Sequence, residues 1–221
     1  MPPIFQPMAL SRRPKPFNHP EWLFELKYDG FRALARIERN KCQLISRNGH
    51  PFASFSDLTD SMAASMPAET LVLDGEIVCL DRKGRPQFND LLFRRGKPYF
   101  FAFDLLYAEG KDKRRDSLVE RKAALRQMIR RLPADSRLRF ADHVEGSGVQ
   151  LFEGVCKLDL EGIVAKYKFG PYGGDDALGT WYKIRNRTYS QMVGRNELFE
   201  RDRHKEPVPG WHTCELACVE A

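Results

Sequence analysis

The stretch WLFELKYDGFRALARIE, residues 22–38, decides how the chain is read. In its second half Phe31, Ala33, Ala35 and Ile37 alternate with their neighbours, the period of a half-buried strand. The first half, 22–28, is a second strand, and Asp29-Gly30 between the two is a turn pair. The spacing therefore predicts a hairpin that presents Lys27 at a strand end. Working outward, CQLIS (42–46) predicts a third strand closed by Asn48-Gly49, and Ser56 caps a short helix to about Met66. TLVLDGEIVCLD (70–81) again sets Asp-Gly between two apolar runs, a short helix covers 89–95, and PYFFAFDLLY (98–107) is long and aromatic enough for a buried strand. Ser117 and Glu120 have capping-box spacing before an amphipathic helix. Its apolar stripe is Leu118, Leu125, Met128, Ile129 and Leu132, with Arg121, Lys122, Arg126 and Arg130 outside it. A strand at 137–144, a helix at 147–157 and strands at 162–167 and 180–184 follow. Tight turns without regular βα alternation give an α+β class, antiparallel-rich sheets with flanking helices. The expected layout is an extended segment at 1–20, one domain at 21–187, and a short helix with a tail at 188–221.

The 221 residues, 42% hydrophobic and 11% aromatic, are enough for a substantial core. No run of about 18 apolar residues occurs, so no membrane span is expected, and the N-terminus lacks the apolar centre of a secretory signal, which points to the cytoplasm. Five cysteines, odd in number and mostly in apolar surroundings, fit reduced thiols. His204, His212, Cys214 and Cys218 cluster in the tail, but without a standard zinc spacing they read as a surface tail. Net charge is +6, and it is concentrated. Residues 111–139 hold eleven Lys and Arg against four acids, an excess of seven that leaves the rest near neutral. Such a stripe suits a polyanion, since neutralised phosphates release condensed counterions; on charge alone it equally suits a solvated helix face.

Lys27 is the candidate nucleophile. A lysine is protonated at neutral pH and so a poor nucleophile, unless partial burial and neighbouring cations such as Lys183, Arg185 and a metal ion disfavour its charge. Alone, Lys-x-Asp-Gly would describe an exposed hairpin lysine. Its company changes the reading: SRNG (46–49), LDGE (73–76), EGIVAK (161–166) and WYKIRN (181–186) also place polar groups at the ends of apolar strands.

Together with KYDGFR (27–32) and the aromatic run 98–107, these motifs resemble the nucleotidyltransferase domain of ATP-dependent DNA ligases. The likeness is nearest to the ligase module of the bacterial end-joining ligase D. More broadly, the set is similar to the covalent nucleotidyltransferases, which include RNA ligases and capping enzymes. The resemblance covers about 7–200, all motifs in order, and implies an ATP-grasp-like, covalent nucleotidyltransferase fold. It implies that Lys27 attacks the α-phosphate of ATP, keeps AMP as a phosphoramidate, and passes it to a 5′-phosphate at a nick, where the 3′-hydroxyl displaces it. Lys183 and Arg185 join Lys27 as catalytic residues. Glu25 reads the adenine amino group, with Leu26 beside it. Arg32 and Arg47 lie near ribose and phosphates, Glu76 at ribose and metal, and Phe103 stacks on the base. Lys166 and Lys183 clamp the α-phosphate, and Glu161 with Glu76 takes magnesium, with manganese as its substitute. Asp29 and Asp104 are expected to hold geometry, and Trp181 to be core.

Two departures qualify the resemblance. The last motif ends Lys183-Ile184-Arg185 where the family usually has a second lysine. After Asn186 only 35 residues remain, too few for the oligonucleotide-binding (OB) β-barrel of cellular ligases, so no OB barrel is expected. The implied function is a monomeric, ATP-dependent DNA ligase domain that binds nicked duplex weakly through 111–139, works with an end-joining or repair protein, and seals pre-adenylated nicks more readily than it charges itself. The alternatives are an RNA ligase or related nucleotidyltransferase, or a nucleic-acid-binding module that has lost the reaction.

Overall fold

The structure, a computed structural model, describes residues 5–66, 70–173 and 179–192. Its strands are β1 (Ser11–Arg12), β2 (His19–Leu26), β3 (Phe31–Glu38), β4 (Lys41–Ser46), β5 (Leu71–Cys79), β6 (Pro98–Ala108), β7 (Lys111–Asp112), β8 (Leu138–Phe140), β9 (His143–Gly146), β10 (Gly162–Tyr167) and β11 (Trp181–Arg185). The helices are α1 (Ser56–Ser65), α2 (Phe88–Leu92), α3 (Leu118–Ile129) and α4 (Gly148–Lys157). One sheet has the order β1-β11-β10-β2-β9, the other β4-β3-β5-β6-β7 with β8 beside β6. Pairing is antiparallel except for β1 with β11 and β6 with β8. The expected class, antiparallel-rich α+β, is the observed one. Met1–Tyr189 forms one compact unit and Ser190–Ala221 a second, of which only the short turn Ser190–Met192 is described. The tail's His204, His212, Cys214 and Cys218 lie outside the described residues. Among the described residues no helix is long and apolar enough to cross a membrane.

The period of two explains the layering. On β3 and β5, Ala33, Ala35, Ile37, Leu71, Leu73 and Ile77 face a core shared with Leu58 and Met62 of α1 and Leu125 of α3. On β2, β10 and β11, Phe24, Ile163, Ala165 and Ile184 face Val155 of α4. The opposite faces of the two sheets enclose Leu23, Leu34, Val72, Leu106 and Trp181, a third core that closes one end of the space between them. The remaining residues of those inner faces line a cleft.

Several expectations fail for identifiable reasons. Residues 22–38 are not a hairpin: β2 pairs with β10 and β9, β3 pairs with β4 and β5, and 27–30 is a crossing from one sheet to the other. A Cβ on Gly30 would lie 2.1 Å from the Ile77 carbonyl oxygen, so glycine is needed there for close backbone approach as the chain changes sheets. Asp74-Gly75 is not a turn, because β5 runs through it; a Cβ on Gly75 would lie 2.5 Å from the Phe100 ring, beside a register shift against β6. The strand expected at 137–144 divides into β8 and β9, one in each sheet. The helix expected at 89–95 is the shorter Phe88–Leu92. Ser56 is the first residue of α1 rather than its cap, since a 3₁₀ turn, Ala53–Phe55, leads directly into the helix.

The correction with most consequence concerns α3. Its capping box is present, with Ser117 N–H donating to Glu120 at 2.8 Å. Arg121 and Lys122, however, are fully buried. Leu118, Arg121, Lys122 and Leu125 stand at i, i+3, i+4 and i+7, so helical geometry itself puts both cations on the core face. They are accommodated there because carboxylates wait for them. Arg121 grips Asp104 at 2.7 and 2.9 Å, and Lys122 donates to Glu25 at 2.6 Å and to the Ala141 carbonyl at 3.1 Å.

Candidate active site

The cleft between the inner faces has a volume of about 390 Å³. The antiparallel register of β2 against β10 sets Leu26 opposite Ile163, and one residue further the Lys27 N–H donates to the Gly162 carbonyl at 2.9 Å. That pairing brings the Lys27 side chain beside Glu161, to which Nζ donates at 2.6 Å. Lys27 keeps 20% side-chain exposure while Glu161 keeps 5%, so the amine faces the cleft from a buried carboxylate. Behind the crossing, Tyr189 Oη donates to Asp29 at 2.8 Å and fixes the turn, as expected of Asp29.

Glu25, Leu26, Lys27, Arg32, Arg47, Glu76, Phe103, Lys166, Lys183 and Arg185 all line this cleft, and Glu161 joins them through Lys27. Every candidate residue is thus brought together, but not every one is free. Arg32 spends Nε and Nη2 on Asp74, at 3.1 and 2.6 Å, and Nη1 on the Met8 carbonyl at 2.7 Å, which leaves two of its five N–H groups. Tyr172 Oη also donates to Asp74, at 2.6 Å, completing a buried brace between strands. Both oxygens of Glu25 are engaged, one by Lys122 and one by Lys166 at 2.7 Å. Burial alone would raise the Glu25 carboxyl, but the two ammonium groups outweigh it and hold it below its ordinary value. Lys166 is pushed down to about 8, chiefly by burial, with Lys122 adding and Glu25 opposing. Its ammonium lies 4.1 Å from the Phe103 ring centre and 3.9 Å from that of Trp181, so one face of Phe103 is already covered by a cation.

Glu76 has the opposite electrostatics. Burial pushes its carboxyl up to about 8, and Glu161 and Asp74 add to this while Lys27 and Arg32 oppose it. A proton therefore sits at this carboxyl near neutral pH, where a cation could replace it. Glu76 and Glu161 are hard oxygen donors that feel each other's charge, and among the described residues no three His, Cys, Asp or Glu side chains converge on one point. That donor set fits magnesium, which takes one or two carboxylates and completes its shell with phosphate oxygens and water. On the facing strand the Lys183 ammonium is held below its ordinary value, first by desolvation and then by Arg185, Arg12, Lys27 and Arg47. The mouth of the cleft is therefore strongly positive.

The family model described as the ATP dependent DNA ligase domain matches residues 9–185. The chain belongs to this family. It is 34% identical over 178 residues to the multifunctional non-homologous end joining protein LigD of Pseudomonas aeruginosa, a match covering 78% of this chain and 21% of that protein. It is 28% identical to the SPbeta prophage-derived DNA ligase-like protein LigB of Bacillus subtilis, covering 85% and 69%. Among solved structures, a mycobacterial DNA ligase D complexed with ATP and MES superimposes with a TM-score of 0.73 at 28% identity, covering 82% of this chain and 60% of that one. The ligase domain of Mycobacterium tuberculosis LigD gives 0.72 at 27%, covering 81% and 59%. This ligase-family chain thus spans about a fifth of the length of the Pseudomonas relative.

Sequence reasoning missed Leu10, Val164 and Trp181 in the cleft lining. The alternation in EGIVAK could have supplied Val164, since it shares parity with Lys166. Trp181, expected as core, is 2% exposed and still forms part of the cleft wall. Missed too was Lys122 as the partner of Glu25, although its spacing from Leu118 and Leu125 marked it. No residue of 111–139 lines the cleft.

Proposed function

We propose that residues 21–187 are a lysine adenylyltransferase domain that activates and seals DNA strand breaks with ATP, and that 1–20 and 188–221 flank it. The observation that carries this is the Lys27–Glu161 contact of 2.6 Å inside a cleft whose mouth holds Lys183, Arg185 and Arg47. Attack needs the free amine, so Nζ gives up a proton to water in the cleft, while the hydrogen bond to Glu161 keeps the amine aimed. Lys27 Nζ then forms a bond to the α-phosphorus of ATP as the bond to pyrophosphate breaks. Lys183 and Arg185 stand where negative charge grows on the phosphoryl oxygens, and as cations already crowded together they gain from its arrival. The lysyl-AMP bond is broken by an oxygen of a DNA 5′-phosphate, and attack by the neighbouring 3′-hydroxyl joins the strand and releases AMP.

The other assignments follow from position. Phe103 and Val164, both in the cleft lining, would meet adenine. Glu25, backed by Lys122 and Lys166, supplies the acceptor edge for the adenine amine, and the Leu26 backbone borders it. Arg32 uses its two spare N–H groups toward the ribose, and Arg47 meets the phosphates. Glu76 and Glu161 would hold magnesium, or manganese in its place, which when bound offsets the charge of the triphosphate. The exposed cations left in 111–139, Lys111, Arg115, Arg130 and Arg131, would touch duplex DNA away from the cleft. We take the protein to act as a monomer in the cytoplasm beside an end-joining or repair partner.

The test is sealing of a nicked duplex with a 5′-phosphate in the presence of ATP and magnesium, with GTP and an RNA nick as parallel arms. Joining that requires ATP and is lost in Glu161→Gln supports the reading. Joining supported equally by GTP, or binding of the nick with no turnover of either nucleotide, overturns it.

A further inference from the structure

Beside the cleft, at the β1–β11 edge, lies a second depression of about 280 Å³ lined by Arg12, Arg13, Pro14, Lys183, Arg185 and Arg187. Five of these six residues are cations, and none is a carboxylate. Several cations elsewhere are neutralised: Arg32, Lys113, Arg114, Arg121, Lys122 and Arg126 each have an acid within ion-pair distance. Among the described residues, none of the five in this groove has one. The charges are also held in place. Parallel pairing sets Arg12 beside Lys183, and the Arg13 N–H donates to the Lys183 carbonyl at 3.1 Å. The Arg13 guanidinium lies 4.2 Å from the Phe17 ring centre and 5.7 Å from that of Tyr182. Cations fixed this close repel one another in the free protein, and a polyanion relieves that repulsion.

Lys183 and Arg185 line both this groove and the nucleotide cleft, so the two form one positive track that begins beside Lys27. We infer that the groove formed by Arg12, Arg13 and Arg187 with Lys183 and Arg185 seats the phosphodiester backbone of the DNA strand whose 5′-phosphate receives the adenylate. This rests on the reading of Lys27 as the adenylate carrier and adds the path by which the acceptor reaches it. It also makes this edge, rather than 111–139, the main nucleic-acid surface, because Arg121 and Lys122 are buried and Lys113, Arg114 and Arg126 are already paired.

The experiment measures affinity for a fluorescent nicked duplex bearing a 5′-phosphate, from 50 to 200 mM salt. It compares the wild-type chain, Arg12→Gln/Arg187→Gln, and Arg130→Gln/Arg131→Gln. Loss of two phosphate contacts lowers the slope of log affinity against log salt by about 1.8, so the affinity gap to wild type narrows roughly twelve-fold across that range. The first double variant should show this in full and the second, on the lesser surface, should lower the slope by less than half as much, with AMP labelling of the chain in the absence of DNA unchanged in both. An Arg12/Arg187 variant that keeps wild-type affinity and slope, or a loss confined to the Arg130/Arg131 variant, overturns the inference. A wild-type chain that takes no AMP label would undo the role of Lys27 instead, and the salt slopes would still judge the groove.

Discussion

Replacing Lys122 by methionine keeps the length of the side chain and removes its charge. If this lysine belonged to a solvated basic face, the change would stay within about 0.5 kcal/mol, the usual range for surface substitutions. In the structure it is 2% exposed and donates to Glu25 at 2.6 Å and to the Ala141 carbonyl at 3.1 Å. Glu25 is itself buried, so Lys122→Met leaves a carboxylate with one ammonium instead of two. Removing one partner of a buried pair costs about 3–5 kcal/mol, and because Lys166 still holds Glu25 at 2.7 Å the lower end applies. At about 2–4 °C per kcal/mol for a chain of this size, a loss of roughly 3 kcal/mol lowers the melting temperature by about 6–12 °C. Urea unfolding at neutral pH measures it, with Arg130→Met as the exposed control. The double variant Lys122→Met/Glu25→Gln should lose less than the sum of its parts, since the stranded charge is gone. Were Lys122→Met as stable as the control, the buried network between α3 and the cleft would be refuted.

The other predictions use the same geometry. Glu76 ionises near 8 in the folded chain against an ordinary 4.5, so the folded state binds the extra proton between these values. Stability of the metal-free protein should therefore be greatest toward pH 5 and fall as pH rises to about 8, and Glu76→Gln should flatten that dependence in thermal melts. Magnesium must displace the same proton, so its affinity, read by calorimetry, should rise up to ten-fold per pH unit below about 8 and level off above. Gly30→Ala puts a Cβ 2.1 Å from the Ile77 carbonyl oxygen and 3.0 Å from Glu76 Cγ. It should depress AMP labelling well beyond its effect on folding, whereas Gly49→Ala, which meets no neighbouring atom but sits at a φ of +82°, should cost about 1–2 kcal/mol of stability through backbone strain and no labelling. Arg121→Met should destabilise by about 3–5 kcal/mol, because Asp104 is left buried with no other cation within ion-pair distance.

Much of the fold and most of the site were legible because both follow one local rule. Alternation along β3, β5, β10 and β11 sends apolar residues to the outer cores and Arg32, Glu76, Lys166 and Lys183 to the cleft, a pattern that sequence displays directly. Pairing between distant strands was not legible. Asp29-Gly30 carries the local signature of a hairpin, and only the preference of β2 for β10 turns it into a crossing between sheets. Long-range neutralisation was hidden in the same way: Arg121 and Lys122 look like solvent residues until Asp104 and Glu25, on other strands, are known to lie beneath them. The helical spacing from Leu118 to Leu125 is the one local hint of it.

The central claim is that the Lys27 amine accepts adenylate. Incubation of the chain with ATP labelled at the α-phosphate and magnesium, followed by digestion and peptide mass mapping, tests it most directly. The account predicts one modified peptide, containing residues 25–32, with the adduct on Lys27 and no label in Lys27→Ala. An adduct on any other residue, or label that persists in Lys27→Ala, would contradict it.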